Sequence, residues 1–230
     1  MLNDRKKTIL RTLIKEYIKS VQPVSSGMLV SRCKLGVSPA TVRNDLVELE
    51  EDGFIIQPHT SAGRVPTEMA YELELSEIIK TKEKRKIKEG ELKILDDLFS
   101  FEENNLKQTA KKISELAGGA VFWAFHKNDL YYTGLSNLFS QPEFKQTEIV
   151  YDVSVIIDRI EEIIDDLFEK IDDGEKVLIG SNNPFGNFLS TVLIKYKKNN
   201  KSGVFGILGP IRMDYSHNLA LVNYIKSKFE

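Results

Sequence analysis

Three polar side chains lie close together on one predicted helix, where they could hydrogen-bond the edges of nucleic-acid bases. Thr41, Arg43 and Asn44 follow Pro39 in a segment that ends before Gly53. Arginine pairs bidentately with guanine, and asparagine pairs bidentately with adenine, in the major groove of DNA. An ordinary solvent-exposed helix would carry the same residues, so the surrounding elements must decide between the two interpretations.

The elements before and around these residues predict a helix-turn-helix. An apolar stripe at helical spacing ends at Pro23, and Ser25 and Ser26 can cap a short second helix. Ser38 then supplies an N-cap oxygen, and Pro39 occupies the first helical position, where its missing N–H costs nothing. In a recognition helix the N-terminal residues reach the base edges. We expect burial of Val42, Leu46 and Leu49, and exposure of Ala40, Arg43, Asn44 and Val47, with Thr41 at the flank.

A strand and a loop of small polar residues follow the third helix directly. Phe54-Ile55-Ile56 predicts a strand, and the segment from Pro58 to Pro66 predicts a loop. A plain hairpin turn would look similar, but after a recognition helix such a hairpin is a wing. Hydroxyl groups in the loop can meet phosphate oxygens, and Arg64 can enter a minor groove or meet phosphate. The candidate DNA-binding residues are Ser38, Thr41, Arg43, Asn44, His59, Thr60, Ser61 and Arg64.

Charge is distributed unevenly along the chain. The whole protein carries a formal net charge of −2. In the segment that ends at Arg43, however, only Asp4 and Glu16 oppose a group of basic residues. This asymmetry favours contact between the N-terminal region and a polyanion, although a helix with a solvated lysine face would show the same excess of basic residues. The basic residues are Arg5, Lys6, Lys7, Arg11, Lys15, Lys19, Arg32, Lys34 and Arg43.

The pattern predicts an α+β protein with three regions. Residues 1–70 form the winged helix-turn-helix, residues 71–118 a helical linker or dimerisation region, and residues 119–230 an α+β domain. In the last region we expect the order β-β-α-β-β-β-α. Its first two strands form a hairpin, and its first helix is a single amphipathic helix over Val153–Lys170. Trp123 is expected to fill the core of this domain, as is Tyr131.

No residue pattern predicts catalysis, a cofactor or a metal. The single cysteine, Cys33, excludes an internal disulfide and a cysteine-based zinc site. The spacing of Gly203, Gly206 and Gly209 is more typical of close strand packing than of phosphate binding. The longest uncharged stretch contains asparagine, proline and glycine, which makes a poor membrane helix. We therefore expect a cytoplasmic protein without enzymatic activity.

Five stretches of the sequence resemble the HrcA heat-shock repressors. In the N-terminal region these are ILRTLIKEYIKSVQPVSS, SPATVRNDLVELEEDGFI and, above all, PHTSAGRVPT at Pro58–Thr67. In the C-terminal region GLSNLFSQPEF at Gly134–Phe144 and GILGPIRMDY at Gly206–Tyr215 resemble the family's GAF-like domain. The resemblance spans most of the chain.

The resemblance implies a function for the whole chain. It would be a homodimeric repressor of chaperone operons that binds an inverted-repeat operator of the CIRCE type and is released on stress. The GroEL chaperonin would promote its active state. Family members usually carry a dimerising segment inserted in the GAF-like domain, and this chain lacks most of it. Two alternatives remain: a winged-helix regulator whose GAF-like domain senses a small molecule, and an α+β enzyme with a basic appendage.

Overall fold

A computed structural model describes residues 2–33, 36–60, 62–81, 86–126, 129–145, 147–198 and 201–229. Of the candidate site residues, Ser61 lies outside this set. The chain divides into two compact units, Met1–Thr81 and Lys82–Glu230.

The first unit consists of four helices and a two-stranded hairpin in its described part. Its core contains apolar side chains that are at most 4% exposed, among them Ile9, Leu13, Leu29, Leu46 and Leu49. The elements are α1 (Asp4–Ser20), α2 (Ser26–Cys33), α3 (Pro39–Glu51), β1 (Ile55–Ile56), β2 (Val65–Pro66) and α4 (Glu68–Thr81), with β1 and β2 antiparallel.

Helix α4 belongs to the first unit. Its Tyr71 is 2% exposed, and Arg11 of α1 donates from Nε to Glu74 Oε2 over 3.0 Å. The sequence predicted a boundary after residue 70, which falls within α4 and would have placed most of this helix in the linker. In the structure α4 closes the core of the first unit, and the division follows Thr81.

The second unit is built on a five-stranded antiparallel sheet, which confirms the predicted α+β class. The strand order is β4-β3-β7-β6-β5. The elements are α5 (Glu89–Leu98), α6 (Glu103–Ala117), β3 (Ala120–His126), β4 (Asp129–Thr133), α7 (Leu135–Phe139), α8 (Thr147–Asp158), α9 (Ile160–Lys170), β5 (Gly174–Ile179), β6 (Leu189–Lys198), β7 (Lys201–Pro210) and α10 (Tyr215–Phe229).

Helices cover both faces of this sheet. On one face Phe122 and Leu193 pack with side chains from α7, α8 and α9. On the other face Trp123 and Tyr196 meet Phe229 of α10. Trp123 is fully buried, as expected, and donates from Nε1 to the Tyr196 hydroxyl over 2.7 Å. Burial raises the pKa of Tyr196 to about 12, so the buried hydroxyl that accepts this bond is uncharged at neutral pH.

The expected helix over Val153–Lys170 is two helices in the structure. Helix α8 ends at Asp158 and α9 begins at Ile160, with Arg159 between them. The apolar spacing continues through the break, and both Val153 and Ile160 are buried. No proline or glycine marks the break, and both helices contribute side chains to the core on one face of the sheet.

Gly206 allows an aromatic ring to cross the central strand β7. A Cβ at this position would lie 2.2 Å from Cζ of Phe122, whose side chain is fully buried. This confirms that the glycine spacing in β7 serves strand packing.

We expect Gly206→Ala to destabilise the protein by about 1–3 kcal/mol, since the Phe122 ring must leave its position. The matched control is Gly90→Ala in α5, where nothing lies within 4 Å of the new Cβ. That change should stabilise the protein by roughly 0.4–1 kcal/mol. Urea unfolding measures both, and equal effects of the two changes would contradict the packing argument.

Helix α5 is fastened to α10 by polar contacts around the buried Leu95. Glu91 lies 3.4 Å from Nε2 of His217, and Asp96 accepts hydrogen bonds from the Tyr224 hydroxyl and from Lys228 Nζ. The bond from Lys228 lowers the pKa of Asp96, although burial opposes the shift.

In the part of the chain that the structure describes, no helix is both long enough and apolar enough to cross a membrane.

Candidate nucleic-acid interface

An N-terminal cap fixes where helix α3 begins, and its buried side chains fix which of its faces is exposed. Ser38 Oγ accepts a hydrogen bond from the Thr41 amide over 3.1 Å, and Pro39 follows at the first helical position. Val42, Leu46 and Leu49 are buried, as predicted. The opposite face is exposed and carries Ala40, Arg43, Asn44 and Val47, which confirms the predicted division of the helix.

Ser38 and Thr41 form a hydroxyl pair at the start of α3. Their side-chain oxygens lie 3.0 Å apart, with Ser38 exposed and Thr41 half-buried. Each hydroxyl therefore has a structural role in the cap. Only one proton is shared between the two oxygens, so one of the hydroxyls keeps its proton for a further partner at this helix end.

Arg43 and Asn44 are exposed and have no hydrogen bond or ion pair within the described ranges of the chain. Both extend from the N-terminal half of α3, one residue apart. The guanidinium of Arg43 presents paired donors to a ligand, whereas the carboxamide of Asn44 presents one acceptor and one donor group.

Most basic residues of α1 are paired inside the first unit. Arg5 donates two hydrogen bonds to Asp45, from Nε over 2.7 Å and from Nη2 over 2.8 Å. These bonds raise the pKa of Arg5. Lys6 pairs with Glu48, which raises the pKa of the lysine. Four of the six basic residues of α1, namely Arg5, Lys6, Lys7 and Arg11, thus pair with acidic side chains of α3 and α4.

Sequence reasoning missed the pair of Arg5 with Asp45. The Asp45 side chain is only 2% exposed, on the same face of α3 as Val42 and Leu49. A carboxylate among the apolar positions of a helix is a signal for a buried charge partner. Its partner lies 40 residues away in the chain, so no local pattern identifies it.

Gln57 shapes the loop of the wing. Its side-chain Nε2 donates to the carbonyl oxygens of Thr60 and Ala62, each over 2.9 Å. Its backbone N–H donates to Glu50 Oε1 over 3.0 Å. A turn closes between the Ala62 amide and the His59 carbonyl at 2.8 Å. His59 and Thr60 are left exposed at the tip, where they were predicted to contact DNA.

The base of the wing is joined to the segment before α2. Arg64 and Val24 exchange two backbone hydrogen bonds of 2.8 and 2.9 Å. A Cβ at Gly63 would lie 2.5 Å from the Val24 carbonyl, so only glycine permits this pairing. Gly63 and Arg64 of the PHTSAGRVPT stretch thus fix the base of the hairpin.

The Arg64 side chain is directed towards the end of α3. It is 17% exposed, and its Nε lies 2.9 Å from Oε2 of Glu50. The N–H does not point at that oxygen, so the contact is an ion pair without a hydrogen bond. Arg64 therefore lies at the base of the wing, whereas His59 and Thr60 lie at its tip.

This geometry defines a two-unit protein whose N-terminal unit has the element order of a winged helix-turn-helix. The family model described as "HrcA protein C terminal domain" matches residues 39–218. The chain belongs to the HrcA family. Transcription repression, which the names of its relatives state, is not an enzymatic activity.

Relatives with the name "Heat-inducible transcription repressor HrcA" match the chain over different lengths. That of Carboxydothermus hydrogenoformans is 25% identical over 329 residues, covering 98% of this chain and 96% of the relative. Those of Thermobifida fusca and Clostridium perfringens are 54% and 40% identical, covering 36% and 50% of this chain. In these two matches the chain spans only 24% and 35% of the relative.

The long alignment is also informative about length. Its 329 positions exceed the 230 residues of this chain, so the Carboxydothermus protein has residues that this chain does not match. Among solved structures, a crystal structure of a hypothetical protein has a TM-score of 0.83 at 18% identity. It covers 100% of this chain and 98% of its own, and it shows the fold alone.

Proposed function

We propose that this chain represses transcription by binding an inverted-repeat operator as a homodimer, with α3 in the major groove of each half-site. The observation that carries the proposal is the exposed face of α3. Arg43 and Asn44 lie on it without partners in the described part of the chain, while Arg5 and Lys6 of the same unit are paired. Side chains held free on a rigid helix suit direct base readout.

The acidic end of α3 is compatible with this role. Carboxylates near DNA repel phosphates, but three of those on α3 are paired with basic side chains. Asp45 binds Arg5, Glu48 binds Lys6 and Glu50 lies beside Arg64, whereas Glu51 and Asp52 are exposed. The pairs reduce the negative potential that would otherwise oppose docking of the helix.

A homodimer follows from the two-fold symmetry of an inverted repeat, because one winged helix covers one half-site. We place the dimer contact outside the residues that read DNA. Apolar side chains on α5 support this placement: Ile94 is 43% exposed and Leu92 is 38% exposed.

We further propose that the operator lies upstream of chaperone genes, and that heat stress and the GroEL chaperonin control its occupancy. The support is the family and the names of the relatives. The test is a gel-shift titration of the complete chain on the inverted repeat of a chaperonin promoter. We expect binding to that duplex, stronger binding with purified GroEL, and weak binding to a scrambled duplex. Equal binding to both duplexes would contradict the proposal.

Arg64→Ala is expected to weaken specific and non-specific DNA binding to a similar extent, because we assign Arg64 to phosphate or the minor groove. The slope of log affinity against log salt should become shallower by about one. Glu50→Gln is the control. It removes the ion pair between Glu50 and Arg64, but it keeps a side-chain oxygen that accepts the hydrogen bond from the Gln57 backbone N–H. An unchanged slope in Arg64→Ala, with weaker binding, would mean that Arg64 only supports the wing.

A small-molecule sensor is a second candidate, and one cavity of the second unit supports it. The cavity measures about 300 Å³ and is lined by Leu167, Lys170, Lys176 and Asn183, among others. Asn183 is 6% exposed, and its Nδ2 has no hydrogen-bond partner in the described ranges. Buried amide groups usually have partners, so a polar ligand could bind here. Thermal unfolding with a panel of small carboxylates tests this, and a uniform lack of stabilisation would contradict it.

A further inference from the structure

Val47 is an exposed apolar side chain, larger than Ala40, on the face of α3 that also carries Arg43 and Asn44. Its exposed fraction is 47%. It lies four residues after Arg43 and three after Asn44, so all three side chains share one side of the helix. The neighbouring acidic residues Asp45 and Glu48 are paired with α1, and Val47 lies as an apolar side chain beside the two polar ones.

An apolar side chain on a base-reading face has one specific counterpart in DNA. The major-groove edge of thymine carries a 5-methyl group, and apolar side chains make contact with it. Val47 lies about 4.5–6 Å along the helix axis from Asn44 and Arg43, since the rise is about 1.5 Å per residue. Successive base pairs are about 3.4 Å apart, so this separation corresponds to one or two base pairs.

We propose that Val47 is a specificity-determining residue that contacts the 5-methyl group of a thymine, one or two base pairs from the bases read by Arg43 and Asn44. The inference rests on the proposed operator binding. It adds a third, apolar element to recognition, in which the methyl group of the base is buried against the two methyl groups of the valine.

The test replaces each thymine of the inverted repeat in turn by deoxyuridine, which removes only the 5-methyl group. The complete chain is titrated on each duplex by fluorescence anisotropy. We expect one thymine per half-site whose replacement lowers the affinity about fourfold, the equivalent of one buried methyl group. In Val47→Ala the affinity for the thymine duplex should fall, and the discrimination between thymine and uracil at that position should disappear.

Met69→Ala is the matched control, because Met69 is also 47% exposed but lies on α4. It should retain the full discrimination between thymine and uracil. Val47→Thr keeps one methyl group and should retain part of it. If Val47→Ala discriminates as the unmodified chain does, or if no thymine position discriminates, the inference is wrong although operator binding stands. A chain that binds no inverted repeat would overturn the proposed function and the inference together.

Discussion

Dividing the chain after Thr81 is expected to lower its affinity for an inverted-repeat duplex by about 100- to 10,000-fold. The first unit retains its own core and the face of α3 that carries Arg43 and Asn44. It would lose the dimer contact that we place outside the DNA-reading residues. Two linked heads bind a repeat with the advantage of a high effective concentration, whereas a single head binds only one half-site.

The fragments must be cut with α4 in the first unit, because Tyr71 and Glu74 are part of its packing. Sedimentation should find residues 1–81 monomeric and residues 82–230 dimeric without DNA affinity. A duplex with a single half-site is the control, and on it the complete chain and residues 1–81 should bind similarly. A dimeric 1–81 fragment beside a monomeric 82–230 fragment would refute the proposed dimer.

Arg43→Ala is expected to weaken operator binding by about 1–3 kcal/mol and to relax the preference for one base pair per half-site. Arg43 is exposed and unpaired in the described part of the chain, so its removal leaves the fold intact. The loss would come from the bidentate contact with guanine. Competition binding against duplexes with every single base-pair change measures both effects.

Two variants separate base reading from charge. Arg43→Lys keeps the charge but not the planar fork, so it should restore the salt dependence without restoring the base preference. Lys15→Ala removes an exposed charge from α1 and should leave the base preference unchanged. If Arg43→Ala binds as tightly and as selectively as the unmodified chain, α3 does not read bases through this residue.

The sequence was sufficient to predict the helices of the first unit because their signals are local. Ser38 with Pro39 marks the start of α3, and the apolar spacing identifies its buried side. The break at Arg159 could not be predicted in this way. The apolar spacing runs through it, and only packing against the sheet shows that α8 and α9 are separate helices.

The candidate site was predictable in its exposed residues but not in its internal contacts. Arg43 and Asn44 lie where helical periodicity predicts. The pairing of Arg5 with Asp45 joins residues 40 positions apart. That of Arg64 with Glu50 depends on how the wing folds back. Such contacts follow from tertiary packing, so the N-terminal basic excess gave no indication that much of it is neutralised within the unit.

The central claim is that two copies of α3 read the two halves of an inverted repeat. The most direct measurement is competition of the complete chain between an inverted-repeat duplex and a duplex of equal composition with one half-site reversed. At physiological salt we expect a preference for the inverted repeat that approaches the difference between specific and non-specific binding, about 1,000-fold or more. Equal affinity for the two duplexes would contradict the claim.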